Sequence, residues 1–279
     1  MRFFWLFFAC AMASGYTFAQ TNYAYATFAD TRIINGQSVE HNSKGQLKYI
    51  ISHRFGAINS GAYNQFGLDQ ATMRMGLDYG VHKRLTVGFG RSTFEKTVNL
   101  SAKAKLFYQK EGEENFPVSI SYYQSTTRRT LNFPDDLPYP ESARWAFAHQ
   151  LLIGRKFSEK LSLQVMPSVL HLNLVELNED QNTLYSAGFA GRYQVSYAVA
   201  IIAEAYYTPL YQNSQLENHS LAIGVDIKTK GHVFQLHLSN TQGMTEKFFI
   251  SQTGGNWKDG TVYFGFNISR DFQIAGRTY

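Results

Sequence analysis

At 279 residues the chain exceeds a typical soluble domain but fits a single sheet closed on itself, so one structural domain is expected. Charged residues make up only 17% of it, against about 25% in soluble globular domains, while aromatic residues reach 15%. That is too little charge for an ordinary solvated surface, and a formal net charge of +5 without a basic cluster argues against nucleic acid as a partner.

Residues 1–19 read as a secretory signal peptide. Met1-Arg2 is the positive start, Phe3 to Met12 the apolar stretch, and Thr17-Phe18-Ala19 a small-x-small cleavage site before Gln20. Cys10 is the only cysteine and leaves with the signal, so the mature chain is expected to lack disulfides and thiolate chemistry. No later run approaches the roughly 20 apolar residues of a transmembrane helix, which leaves any membrane crossing to strands. Residues 20–44 combine Arg32, Asn35 and Glu40 with Ile33, Ile34 and Val39. They precede the first strand and either enter a lumen as a plug or lie in the periplasm as a tether.

From 45 to 273 the chain alternates apolar with polar or small residues, the period of a strand with two unlike faces. Twelve strands are predicted, at 45–55, 70–80, 84–94, 97–109, 117–126, 143–156, 160–174, 184–195, 198–208, 219–229, 232–241 and 260–273, with 274–279 as a C-terminal tail. The second shows the pattern best: Ala71, Met73, Met75, Leu77 and Tyr79 share one face, Thr72, Arg74, Gly76 and Asp78 the other. The tenth sets Leu221, Ile223, Val225 and Ile227 against Ala222, Gly224, Asp226 and Lys228, and the last sets Val262, Phe264, Phe266 and Ile268 against Tyr263, Gly265, Asn267 and Ser269.

Long and short connections fall on opposite ends, except at 95–96 and 110–116. This fits an outer-membrane barrel with short periplasmic turns and longer external loops. Loops 56–69, 127–142 and 242–259 would then face outside, the second carrying Pro134, Pro138 and Pro140. Pro167 removes a ladder donor, and the apolar face switches from Leu161, Leu163 and Val165 to Leu170, Leu172 and Leu174 beyond it, which predicts a β-bulge.

Alternation alone does not say which face points out. The polar faces are rich in small residues, such as Thr86, Gly88, Gly90 and Ser92, and lack the dense Lys/Glu cover of a soluble surface, so the apolar face is assigned to lipid. Tyr49, Phe55, Tyr79, Tyr122, Tyr123, Trp145, Tyr206, Tyr207 and Phe272 lie near strand ends and are expected to form an interfacial girdle. The fold expected is therefore an all-β, antiparallel, up-and-down transmembrane β-barrel.

The eight histidines provide no metal site by spacing. His232 and His237 are an odd number of residues apart on one strand, hence on opposite faces. Ser168 and His171 are the one pair to weigh for a lipid hydrolase, and they also face opposite sides unless the bulge intervenes. No Gly-x-Ser-x-Gly elbow is present, so no enzyme activity and no cofactor are expected. The inward face is more informative. It receives Lys48, Arg54, Arg74, Lys103, Lys105, Arg144, Arg192 and Lys228 against Asp78, Glu204 and Asp226. Lipid exposure of Arg or Lys near the bilayer midplane costs about 2–4 kcal/mol, so these groups must line a wet or internally paired lumen.

Thr31-Arg32-Ile33-Ile34-Asn35-Gly36-Gln37-Ser38-Val39-Glu40, His53-Arg54-Phe55-Gly56, Phe66-Gly67-Leu68-Asp69 and Gly88-Phe89-Gly90-Arg91-Ser92 with Glu95-Lys96 carry a further signal. With Gly231-His232-Val233-Phe234-Gln235-Leu236 and Phe264-Gly265-Phe266-Asn267-Ile268-Ser269-Arg270, this sequence resembles an outer-membrane-type β-barrel family of Gram-negative bacteria that bears a domain-of-unknown-function label. The resemblance covers nearly the whole mature chain. It implies a barrel in the outer membrane and supplies no activity. The reading is a narrow pore or transport-related barrel for small polar solutes, anions among them, surrounded by outer-membrane lipids. The alternatives are a non-conducting barrel that holds an envelope protein on its external loops, and a membrane-embedded lipid hydrolase.

Overall fold

The structure is a computed structural model that describes residues 22–112, 114–133, 138–214 and 216–276, so the expected signal segment and Pro134 lie outside the described residues. Twelve antiparallel strands close into one barrel: β1 (Gln46–Ala57), β2 (Ala71–His82), β3 (Leu85–Ser92), β4 (Thr97–Phe107), β5 (Ser119–Arg129), β6 (Trp145–Lys156), β7 (Leu161–Leu172), β8 (Thr183–Gln194), β9 (Val199–Tyr207), β10 (Ser220–Lys228), β11 (His232–Ser239) and β12 (Tyr263–Gln273). Each pairs with its chain neighbours, and β12 returns to β1 from Gln273 opposite Gln46 to Gly265 opposite Arg54. Closure leaves no sheet edge, the condition for strands to cross lipid with every backbone group paired. At one end the connections are mostly tight, such as 83–84 and 229–231; at the other they are mostly long, such as 58–70, 130–144 and 240–262. These are called the turn end and the loop end below.

The side-chain alternation sorts as the sequence implies. On β2, Met75 and Leu77 are exposed while Arg74 and Asp78 are buried; on β10, Leu221 and Ile223 are exposed while Ala222 and Asp226 are buried. Leu100, Leu163, Phe189, Ile201 and Leu236 continue an apolar outer band far larger than a water-facing surface tolerates. Val262, expected on the outer face of the last strand, is instead buried just before β12 begins.

The predicted bulge at Pro167 is absent. β7 stays in one register with β8 through Ala187 opposite Pro167. Its pairing to β6 lapses opposite Pro167, which has no N–H to give, and resumes unshifted at Ile153 opposite Val165. The face never switches: Ser162, Gln164, Met166, Ser168, Leu170 and Leu172 all point inward. Leu170 and Leu172 misled the periodicity reading because this part of the inner wall is itself apolar. For the same reason Tyr123 and Tyr206 do not join an interfacial girdle; both point into the lumen and are 1% exposed.

Candidate functional site: an occupied lumen

Residues 27–42 enter the barrel from the turn end and fold back as a narrow hairpin, with Ile33 N–H donating to Gly36 O (2.9 Å) and Ser38 N–H to Thr31 O (3.0 Å). Its turn, Ile34-Asn35-Gly36, reaches Glu204 on β9. Both Glu204 oxygens accept from it, with backbone N–H donors at Ile34 (3.2 Å), Asn35 (2.8 Å) and Gly36 (3.1 Å). Gly36 is required there, because a Cβ would collide with Tyr206 Oη. Residues 27–42 of the segment before the first strand thus lie inside the barrel. The chain leaves through Gly45, whose φ of +76° and contact with Ala275 O admit only glycine, straight into β1.

Wall cations hold the plug by its oxygens. Lys103 Nζ donates to Thr31 O (3.2 Å), Ser38 O (3.1 Å) and Gln37 Oε1 (3.2 Å). Lys105 donates to Val39 O, Arg54 to Asn35 Oδ1 (2.7 Å), and Lys48 pairs with Asp30 at 2.6 Å. Neutral amides complete the cradle: Gln235 donates to Ile33 O (2.6 Å), Asn267 to Ile34 O (2.9 Å), and Gln164 donates to Gln37 O (2.7 Å) while accepting from Val39 N–H (2.8 Å). His41 sits against Ser121 Oγ (3.0 Å), its pKa held down to about 2 by burial first and then by Lys103 and Lys105.

The opposite wall carries an apolar cluster between Gln164 and Glu204. Phe28, Ile33, Ile34 and Val39 of the plug join one buried cluster with Leu152, Met166, Leu170, Leu184, Ile202 and Tyr206. From the loop end, a short helix α1 (Glu246–Ser251) packs into the same cluster through Phe249 and Ile250. The Phe249 ring lies 4.5 Å from that of Tyr206, so plug and helix meet at this tyrosine. Phe248 packs edge-on against Phe94 at 4.8 Å, and Lys247 pairs with Glu95 at the rim. Both inserts are buried, the hairpin within the lumen and the helix at its loop end.

Arg54, Arg74, Asp78, Lys103, Lys105, Glu204 and Asp226 lie buried inside, each 8% exposed or less. Arg74 donates to Asn99 Oδ1 (3.0 Å), and Arg192 faces Asp226 at 3.9 Å in a half-buried position. Arg144 is not in the lumen: it precedes β6 at the loop end, bonding Leu131 O (2.9 Å) and stacking 4.9 Å over Phe133. Lys228 is exposed at the turn end. Ser168 is buried in the lumen and His171 is exposed outside, so the two do not meet. Among the described residues no cluster of three His, Cys, Asp or Glu is placed to hold a metal. The plug's carboxylate Asp30 and the helix's Glu246 escaped the sequence reading because neither belongs to a strand. The Asn35-Gly36 dipeptide, a common hairpin turn, was the available signal.

Outer apolar band, closed sheet and filled polar interior define a membrane-spanning β-barrel with an internal plug. The chain belongs to the membrane-bound beta-barrel domain family (DUF5777), which matches residues 28–272. That match spans both the plug and the barrel. No curated protein sequence matches the chain. Among solved structures, a NanC porin is similar at 8% identity and a TM-score of 0.50, over 81% of this chain and 98% of that one. A KdgM porin is similar at 10% identity and 0.49, over 81% and 99%, and an outer-membrane channel from Pseudomonas putida F1 at 15% and 0.49, over 84% and 97%. At these identities the likeness concerns the fold alone.

Proposed function

We propose that the protein is an outer-membrane transport barrel that rests closed, with residues 27–42 as a removable plug and small polar solutes, preferentially anions, passing when the plug withdraws. The observation that supports this most is the way the plug is held. Lys48, Arg54, Lys103 and Lys105 bind its carbonyl, amide and carboxylate oxygens. A permanently filled barrel gains little from such groups, because burying an ion costs several kcal/mol and a well-packed apolar core is as stable or more so. Withdrawal returns water to these cations and turns them toward the pathway, where together with Arg74 they outnumber Asp78, Glu204, Asp226 and Glu246. The reading includes no catalytic step and no cofactor, and it places the turn end in the periplasm, where an exported chain would leave its N-terminus.

Planar-bilayer recording tests it. The native protein should be quiet with rare openings, and Glu204→Gln, which weakens the latch on the plug turn, should raise the open fraction and give an anion-biased reversal potential. A folded variant that stays silent or passes cations would overturn the proposal. Silence would favour the second reading, a non-conducting barrel, which the burial of Phe248, Phe249 and Ile250 in the loop end favours.

A further inference from the structure

The lumen has two unlike walls, and the plug fits both. Leu152, Met166, Leu170, Leu184 and Ile202, from β6 to β9, form one apolar cluster, interrupted on the same inner face by Gln150, Gln164, Ser168 and Glu204. Facing it, β1, β2 and β4 present Lys48, Arg54, Arg74, Lys103 and Lys105, all buried. The plug hairpin is amphipathic in the matching sense: Phe28, Ile33, Ile34 and Val39 join the apolar cluster, while Asp30, Asn35 and the carbonyls of Thr31, Ser38 and Val39 meet the cations.

We propose that the solutes recognised by this lumen are amphipathic anions, molecules with one carboxylate, phosphate or sulfonate head and an apolar body. This rests on the plugged-channel reading and names its substrate class. A solute that displaces the plug must replace what the plug supplies to each wall. A small hydrated anion satisfies the cations and leaves the apolar wall wet; an amphipathic anion covers both. Each methylene moved from water onto the apolar wall raises affinity by up to about fourfold. The head group satisfies the ammonium and guanidinium donors that lose the plug's oxygens.

The test uses the full chain in nanodiscs with Cys10→Ala and Ser38→Cys. Ser38 is fully buried in the plug, so its thiol reports withdrawal by its maleimide labelling rate; Val39→Cys repeats the measurement if the first variant does not fold. Hexanoate should raise labelling at least tenfold at concentrations where acetate, 1-hexanol and hexylammonium leave it unchanged, with butyrate between acetate and hexanoate. Equal effects of acetate and hexanoate would overturn the amphipathic requirement, equal effects of hexanol and hexanoate the anionic one, and no effect of hexanoate both. The channel reading fails separately, when a folded Glu204→Gln barrel stays silent or passes cations in the planar bilayer.

Discussion

Glu204→Gln should free the plug turn while leaving the barrel intact. In the native chain one carboxylate oxygen accepts from Asn35 N–H, and the other from Ile34 and Gly36 N–H, all at a side chain 2% exposed. A glutamine in the same rotamer keeps one acceptor for Asn35 and turns its NH2 against the other two donors. Hydrogen bonds to charged groups contribute about 1.5–3 kcal/mol each, so losing two weakens docking by roughly 3 kcal/mol at the lower end. At about 1.4 kcal/mol per decade this is roughly a hundredfold rise in the withdrawn fraction. The Ser38→Cys labelling rate should rise accordingly, with the heat-modifiable gel mobility of the folded barrel unchanged. A rise below about threefold in a folded barrel would refute the latch, and with it the claim that the turn is held by this carboxylate.

Further outcomes follow from other contacts. Gly36→Ala drives a methyl into Tyr206 Oη and should also raise labelling, by an amount that Tyr206→Phe partly reverses in the double variant, as a double-mutant cycle would read out. Lys48→Met strands the Asp30 carboxylate, which is 6% exposed, and should destabilise docking by about 3–5 kcal/mol; Asp30→Asn in the same chain should recover most of this, checked by labelling and by the thermal midpoint of gel mobility. His41 is neutral when docked because its pKa is held near 2, whereas a withdrawn, solvated His41 titrates near 6.5. Its contribution to docking is therefore complete above pH about 6.5 and is lost by up to about tenfold per pH unit below that. Labelling corrected against an unfolded peptide should show this slope between about pH 6 and 4, and His41→Gln should flatten it.

Much of the barrel was legible in the sequence because its physics is local. A strand that separates lipid from lumen must alternate, so Met75 and Leu77 against Arg74 and Asp78 fixed the faces of β2 without any knowledge of its neighbours. The same rule failed at strand ends, as for Val262, Arg144 and Lys228, and where the lumen stops being polar. Leu170 and Leu172 carry inward parity with Met166, yet their chemistry matched the lipid face, and a bulge was inferred to reconcile the two. The lumen charges were legible as a set and their partners were not. Lys103 binds residues 31, 37 and 38, and Glu204 binds residues 34 to 36, across separations of 65 to 170 positions that no periodicity encodes.

The sequence by itself determined a membrane barrel of twelve strands, its inside and outside, and a basic bias inside, because alternation, length and composition are set residue by residue. Only the tertiary structure decided what that bias is for in the resting state. Barrel closure brings β1, β4 and β9 around a common axis, and the space they enclose is filled by a segment from outside the strands. Its carbonyls and Asp30 take up the charge that the strand sequences left unbalanced, since buried cations must find oxygen and the wall alone offers too little.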